Sequence, residues 1–251
     1  FANNLLPGQD SYHSLEHNKT FPAPPELNSV PGEPALLELL QKPDSAIEEN
    51  RKFNYSVIFS TYQKKSKKQI KNLDKKQANP LVKGKWKEKS SGAIILLHGL
   101  NEKDWSKYLP WAAKLVELTG KTVILFPIAF HMNRAPAEWG DPRKMSLVCQ
   151  ERKKSYWRIS HSSFANSAIS ARLQVQPQRL LWSGLQSYFD LVQLLREIKS
   201  GFHPLLDKRE RVDIFAYSIG VFLAQILLMT NPYNYFTESR LFCFCGGPTL
   251  N

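Results

Sequence analysis

The chain has 251 residues, of which 42% are hydrophobic and 12% aromatic, enough to bury a sizeable core and to exclude a globally disordered protein. Its formal charge is +12, but eleven lysines between Lys64 and Lys89, against only Asp74 and Glu88, supply about +9 of it. That run has almost no arginine and one aromatic, Trp86, so it lacks the bidentate and stacking groups of nucleic-acid recognition. It reads as a solvated connection, and no specific nucleic-acid partner is expected.

Residues 1–52 read as a proline-rich extension wrapping the domain, with Pro7, Pro22, Pro24, Pro25, Pro31 and Pro34 and a short helix near Glu33 to Gln41. The start at Phe1 rather than Met leaves room for a removed leader, with a cytoplasmic location the default reading. "FNYSVIFSTY", 53–62, predicts a strand. After the lysine run, "AIILLHG", 93–99, is a continuous apolar stretch ending in glycine, as in a parallel strand buried on both faces. The spacing of Leu109, Ala112, Leu115 and Leu118 predicts a helix over 105–120, stopped by Gly120. "KTVILFP", 121–127, predicts a second buried strand.

From Ile128 to about Arg179 the pattern is irregular, as in a lid or binding insertion. It opens on His131, Arg134, Trp139, Asp141 and Arg143, which either bind a polar or anionic substrate group or fasten the lid through ion pairs. A helix follows over 180–201, with Leu181, Leu185, Tyr188, Leu191, Val192, Leu195 and Ile198 on one apolar face. A strand at 211–217, a helix at 219–230 and a strand at 240–245 complete an α/β alternation that predicts a mostly parallel sheet. Cys243 and Cys245 alternate along that last strand and read as small core residues. Cys149 makes the count of cysteines odd, so there is no disulfide framework. No apolar run is long enough to span a bilayer.

Ser218 stands in "AYSIG", where the strand must turn sharply into the helix. Ala216 and Gly220 are small where the two elements nearly touch, and a serine in so tight a turn is expected at a φ unfavourable for non-glycine residues. This pentapeptide resembles the nucleophile elbow of the α/β-hydrolase superfamily, with Ala216 where the usual pattern has glycine. "LLHGLNE", 96–102, is similar to the His-Gly turn at the end of an earlier strand in that superfamily. The similarity extends over about residues 53–250, nearest to a bacterial hydrolase-like branch.

The resemblance implies an α/β-hydrolase-type fold: a mostly parallel twisted sheet flanked by helices over 53–251, with the lid at 128–179. It implies that Ser218 is the nucleophile and that the backbone N–H groups of Leu100 and Ile219 form the oxyanion hole. Asn101, Tyr217, His131, Arg134 and Trp139 are the candidate substrate-binding residues. A small-molecule ester or amide is the expected substrate, with no metal and no cofactor. In that superfamily an acid and then a histidine follow the serine. Here only Glu238 follows as an acid, and no histidine comes after His203. The core therefore reads as incomplete at its carboxyl end, with a lid histidine as the substitute base or a non-catalytic binding protein as the alternative.

Overall fold

The computed structural model describes residues 11–16, 46–59, 92–155, 163–175 and 177–246. The lysine run and the expected helix near Glu33 to Gln41 lie outside them. Among the described residues, the strands are β1 (Ser11–Glu16), β2 (Lys52–Ile58), β3 (Ala93–Leu97), β4 (Thr122–Phe126), β5 (Val212–Tyr217) and β6 (Leu241–Phe244). The α-helices are α1 (Glu48–Arg51), α2 (Leu109–Thr119), α3 (Pro142–Ser155), α4 (Phe164–Val175), α5 (Arg179–Ser200) and α6 (Ile219–Thr230).

The six strands form one mixed sheet in the order β1-β2-β4-β3-β5-β6. β4, β3, β5 and β6 are mutually parallel, with Leu97 level with Phe126 on one side and with Ala216 on the other. β2 runs antiparallel to β4, and β1 antiparallel to β2. All five residues of β3 and all five of β4 are buried, which accounts for their unbroken apolar sequence. Alternate residues of these strands face opposite cores. Ile95, Leu97, Ile124 and Phe126 pack with Leu191, Leu194 and Ile198 of α5 and Leu223 and Leu227 of α6. Ile94, Leu96, Val123 and Leu125 pack on the other face with Tyr108 and with Ala112 and Val116 of α2.

The chain leaves β3 toward β4 on one side, and β5 returns on the other. The strand order thus reverses at β3. In an open α/β sheet the crevice beyond the carboxyl ends of the strands at such a reversal is where ligands bind. Residues 98–102, 127–134 and 218 follow β3, β4 and β5 at that edge.

Three expectations need correction. The lid is not irregular: it carries α3 and α4, joined to β4 by 3-10 turns at Met132–Arg134 and Ala137–Gly140. Their apolar residues are too few and too scattered for helical periodicity to show. In α5 only the carboxyl half buries the expected apolar face. Leu181 and Leu185 are exposed, and the amino half buries Ser183, Gln186, Ser187 and Asp190 instead. Finally, Cys243 and Cys245 are exposed rather than in the core, because β6 lies at the edge of the sheet; Phe242 and Phe244 beside them are exposed too.

Candidate active site

Ser218 caps α6 at its amino end with φ 53° and ψ −118°. A positive φ is uncommon for a residue with a side chain, and this ψ lies outside the left-handed helical basin as well. Three contacts hold the turn. The Ser218 N–H donates to Phe244 O at 3.1 Å, continuing the β5–β6 ladder, and Ser218 O accepts from the Val221 N–H at 3.0 Å. Gly220 lies so close to β3 that a Cβ there would stand 2.8 Å from Leu97 Cβ and 2.9 Å from His98 O. Ala216 is fully buried beside Leu97. The half-buried hydroxyl of Ser218 makes no hydrogen bond among the described residues.

Across β3, the His98–Gly99 turn is clamped from three directions. His98 is fully buried; its Nδ1–H donates to Gly99 O at 2.7 Å, and its Nε2 accepts from the Ile128 N–H at 2.8 Å. Both ring nitrogens are engaged, so this histidine ties the end of β3 to the end of β4 and has no lone pair for a substrate. The Gly99 N–H donates to Tyr108 Oη at 2.9 Å, and that hydroxyl donates to Glu102 Oε1 at 2.8 Å. Gly99 has no side chain to meet the Tyr217 ring, which a Cβ would approach to 2.8 Å. The clamp leaves Leu100 exposed and Asn101 at φ 59°. Among the described residues, neither the Leu100 N–H nor the Ile219 N–H donates to an acceptor.

The other expected site residues divide by environment. Tyr217 ends β5 within an aromatic group containing Tyr108, Trp111 and Phe244, with Lys107 Nζ 4.1 Å above its ring. Arg134 is wholly buried and used internally. It bonds Asp190 Oδ2 at 2.6 Å, Asn50 Oδ1 at 3.1 Å and Pro127 O at 3.1 Å, so of the two roles open to this loop the fastening one fits it. Trp139 is buried beneath two guanidinium groups, those of Arg172 at 4.9 Å and Arg179 at 4.7 Å.

His131 lies 5.3 Å from His98, ring to ring, and its Nδ1–H donates to Ala129 O at 2.9 Å. Among the described residues its Nε2 has no hydrogen-bond partner. Burial lowers its pKa from 6.5 to about 4, with Arg172 and Arg134 adding to the depression against the Ala129 bond and Glu102, so the imidazole is neutral. His203 bonds Tyr55 Oη through Nε2 and accepts from the Leu205 and Leu206 N–H groups through Nδ1, so neither of its nitrogens is open. No hydrogen bond joins a histidine to Ser218 among the described residues, and Glu238 is exposed.

Sequence reasoning missed Arg172, Glu102 and Tyr108. A glutamate three residues beyond an expected His-Gly turn was a usable signal for the clamp. Nothing in the spacing of α4 points to Arg172.

Residues 68–251 match a family of unknown function, DUF6051. The chain belongs to this family. No curated protein and no solved structure matches it.

Proposed function

We propose that this DUF6051 chain is a serine hydrolase of the α/β-hydrolase type, acting on esters and less readily on amides. The observation that carries the reading is Ser218: a strained serine with an unengaged hydroxyl, held between a buried strand and a helix at the reversal point of the sheet. Backbone strain is costly and persists where function needs it.

In the proposed reaction Ser218 Oγ attacks the carbonyl carbon while its proton passes to a base. The carbonyl π electrons move to oxygen, which becomes the oxyanion. The Leu100 and Ile219 N–H groups donate to that oxygen, and the amino end of α6 adds its positive field. Collapse of the intermediate expels the alcohol, which takes up the proton from the base. Water then attacks the acyl-enzyme by the same route and releases the acid and free Ser218.

Of His98, His131 and His203, His131 Nε2 is the base this reading favours, because the nitrogens of the other two are engaged. Asn101 and Tyr217 border the reacting groups in sequence and contribute to the walls of the site. The second reading is a non-catalytic binding protein on the same scaffold, supported by the lack of a hydrogen bond between any described histidine and Ser218.

Short-chain p-nitrophenyl esters and a fluorophosphonate probe test the proposal. The probe should add its mass to Ser218, and Ser218→Ala should abolish labelling and cut hydrolysis by about a thousandfold or more. Equal rates for the two proteins would leave the binding reading. His131→Gln assigns the base: a loss approaching that of Ser218→Ala places it there, and an unchanged rate places it elsewhere.

A further inference from the structure

Arg172 lies in the last turn of α4, where a cation normally extends into water and meets the negative end of the helix. Here it is buried, with 9% of its surface exposed. Taking a guanidinium out of water costs several kcal/mol, usually offset by a carboxylate. Arg134 shows the ordinary solution in this same molecule: it is buried against Asp190 and three further oxygens.

Among the described residues Arg172 has no such partner. Its Nη2 donates to the neutral Asn101 Oδ1 at 2.8 Å, and among those residues its buried Nε–H has no acceptor and no carboxylate pairs with it. The charge nearest to it in effect is of the same sign, that of Arg179, which shares the Trp139 ring with it. Burial first and then Arg179 lower its pKa from the ordinary guanidinium value to about 10, which still leaves it charged at neutral pH.

A buried, charged planar fork with an unused Nε–H fits one kind of ligand, an oxyanion that accepts two parallel N–H bonds. Trp139 lies against the guanidinium, while its edge carries the unused donors. The position is informative as well. Asn101, which receives the Nη2 bond, is the next residue after Leu100, whose N–H is the proposed oxyanion donor.

We propose that Arg172 is an anion-recognition residue, binding a carboxylate or phosphate group on the substrate beside the Leu100–Asn101 turn. Asn101 orients the guanidinium and Trp139 supports it. The substrate is then an ester that carries a second, anionic group. This statement of substrate class rests on the hydrolase reading; the anion site does not.

Two measurements on the full chain separate the two ideas. The first is calorimetric titration with succinate and with inorganic phosphate at low ionic strength, against chloride as control. One of the two anions should bind, and the stronger one identifies the group recognised. Arg172→Gln should weaken that binding about tenfold or more, and Arg172→Lys, which keeps the charge but loses the fork, should also weaken it. Ser218→Ala should bind as the unaltered protein does. Absence of binding by both anions, or unchanged binding in Arg172→Gln, overturns the site. If Arg172→Gln fails to fold, unchanged affinity in Arg172→Lys overturns it equally.

The second compares hydrolysis of a p-nitrophenyl half-ester of succinate with that of its neutral methyl ester. The preference for the half-ester should fall about tenfold in Arg172→Gln. Anion binding that depends on Arg172, together with equal hydrolysis by Ser218→Ala and unaltered protein, would remove the hydrolase reading and keep the site. Hydrolysis that depends on Ser218, with the half-ester preference unchanged in Arg172→Gln, would do the reverse.

Discussion

Two glycines show how a single residue's surroundings decide the sign of a substitution. At Gly220 an added methyl meets Leu97 Cβ at 2.8 Å and the backbone oxygens of His98 and Leu97 at 2.9 and 3.0 Å, none of which is the end of a flexible side chain. Gly220→Ala should therefore force α6 away from β3 and cost about 1–3 kcal/mol of stability in urea unfolding. It should also loosen the Ser218 turn. At Gly184, in the amino half of α5, an added Cβ meets nothing within 4 Å. Gly184→Ala should stabilise by about 0.5–1 kcal/mol, the ordinary helical difference between the two residues. Urea midpoints for the two variants should move in opposite directions; a rise in both would mean that the close approach of Gly220 to β3 carries no energetic weight, and a fall in both would contradict the open surroundings of Gly184.

Among the elements, α5 joins two kinds of packing in one helix. Its carboxyl half supplies Leu191, Leu194, Leu195 and Ile198 to the core beneath the sheet. Its amino half faces the chain beyond β4, where Ser187 Oγ accepts the Ala129 N–H and Ser183 Oγ donates to Ala129 O, and it faces α1, where Gln186 Oε1 accepts from Asn50 Nδ2. Asp190 sits at the junction, paired with Arg134. Asp190→Asn removes the charge but leaves the guanidinium buried, and should cost about 3–5 kcal/mol, as for other broken buried pairs. Leu181→Ser, on the exposed side of the same helix, should change stability by less than about 0.5 kcal/mol. Chemical denaturation of both proteins checks the contrast; similar losses would contradict the assignment of faces.

At the scale of the whole molecule the buried His98 and the half-buried His131 couple folding to pH. Burial pushes His98 well below its ordinary pKa, with the neighbouring His131 adding to the depression, and takes His131 to about 4. Between pH 6.5 and 4 the unfolded chain takes up protons on these rings that the folded chain refuses. Their contribution is thus present in full above about pH 6.5 and is lost as the pH falls toward 4. For His131 alone it is on the order of 1–3 kcal/mol. The carboxyls of Asp213, Asp104 and Asp141 are held below their ordinary value, so their losses come at lower pH. The thermal midpoint should fall steadily from pH 6.5 to 4, and His131→Gln should flatten that fall. An equal slope in the variant would show that His131 is not neutral in the folded protein.

The α/β alternation was legible in the sequence because parallel strands buried on both faces must be continuous apolar runs. "AIILL" and "TVILF" could hardly be anything else, and α6 runs from Ile219 to Thr230 as the pattern predicts. Ser218 was legible because a tight strand-to-helix turn demands small neighbours, and the sequence supplies Ala216 and Gly220. The polar interior could not be read in the same way. An apolar residue is driven inward by its own contact with water, so its pattern is written locally along the chain. A buried polar group is stable only with a partner, and here the partners are remote: Asn50 and Gln186 lie 136 positions apart, and Arg172 and Asn101 lie 71 apart. Tertiary structure alone therefore decided that Arg134 is held internally, that the amino half of α5 buries its polar side, and that Arg172 reaches the turn beyond β3 with donors to spare.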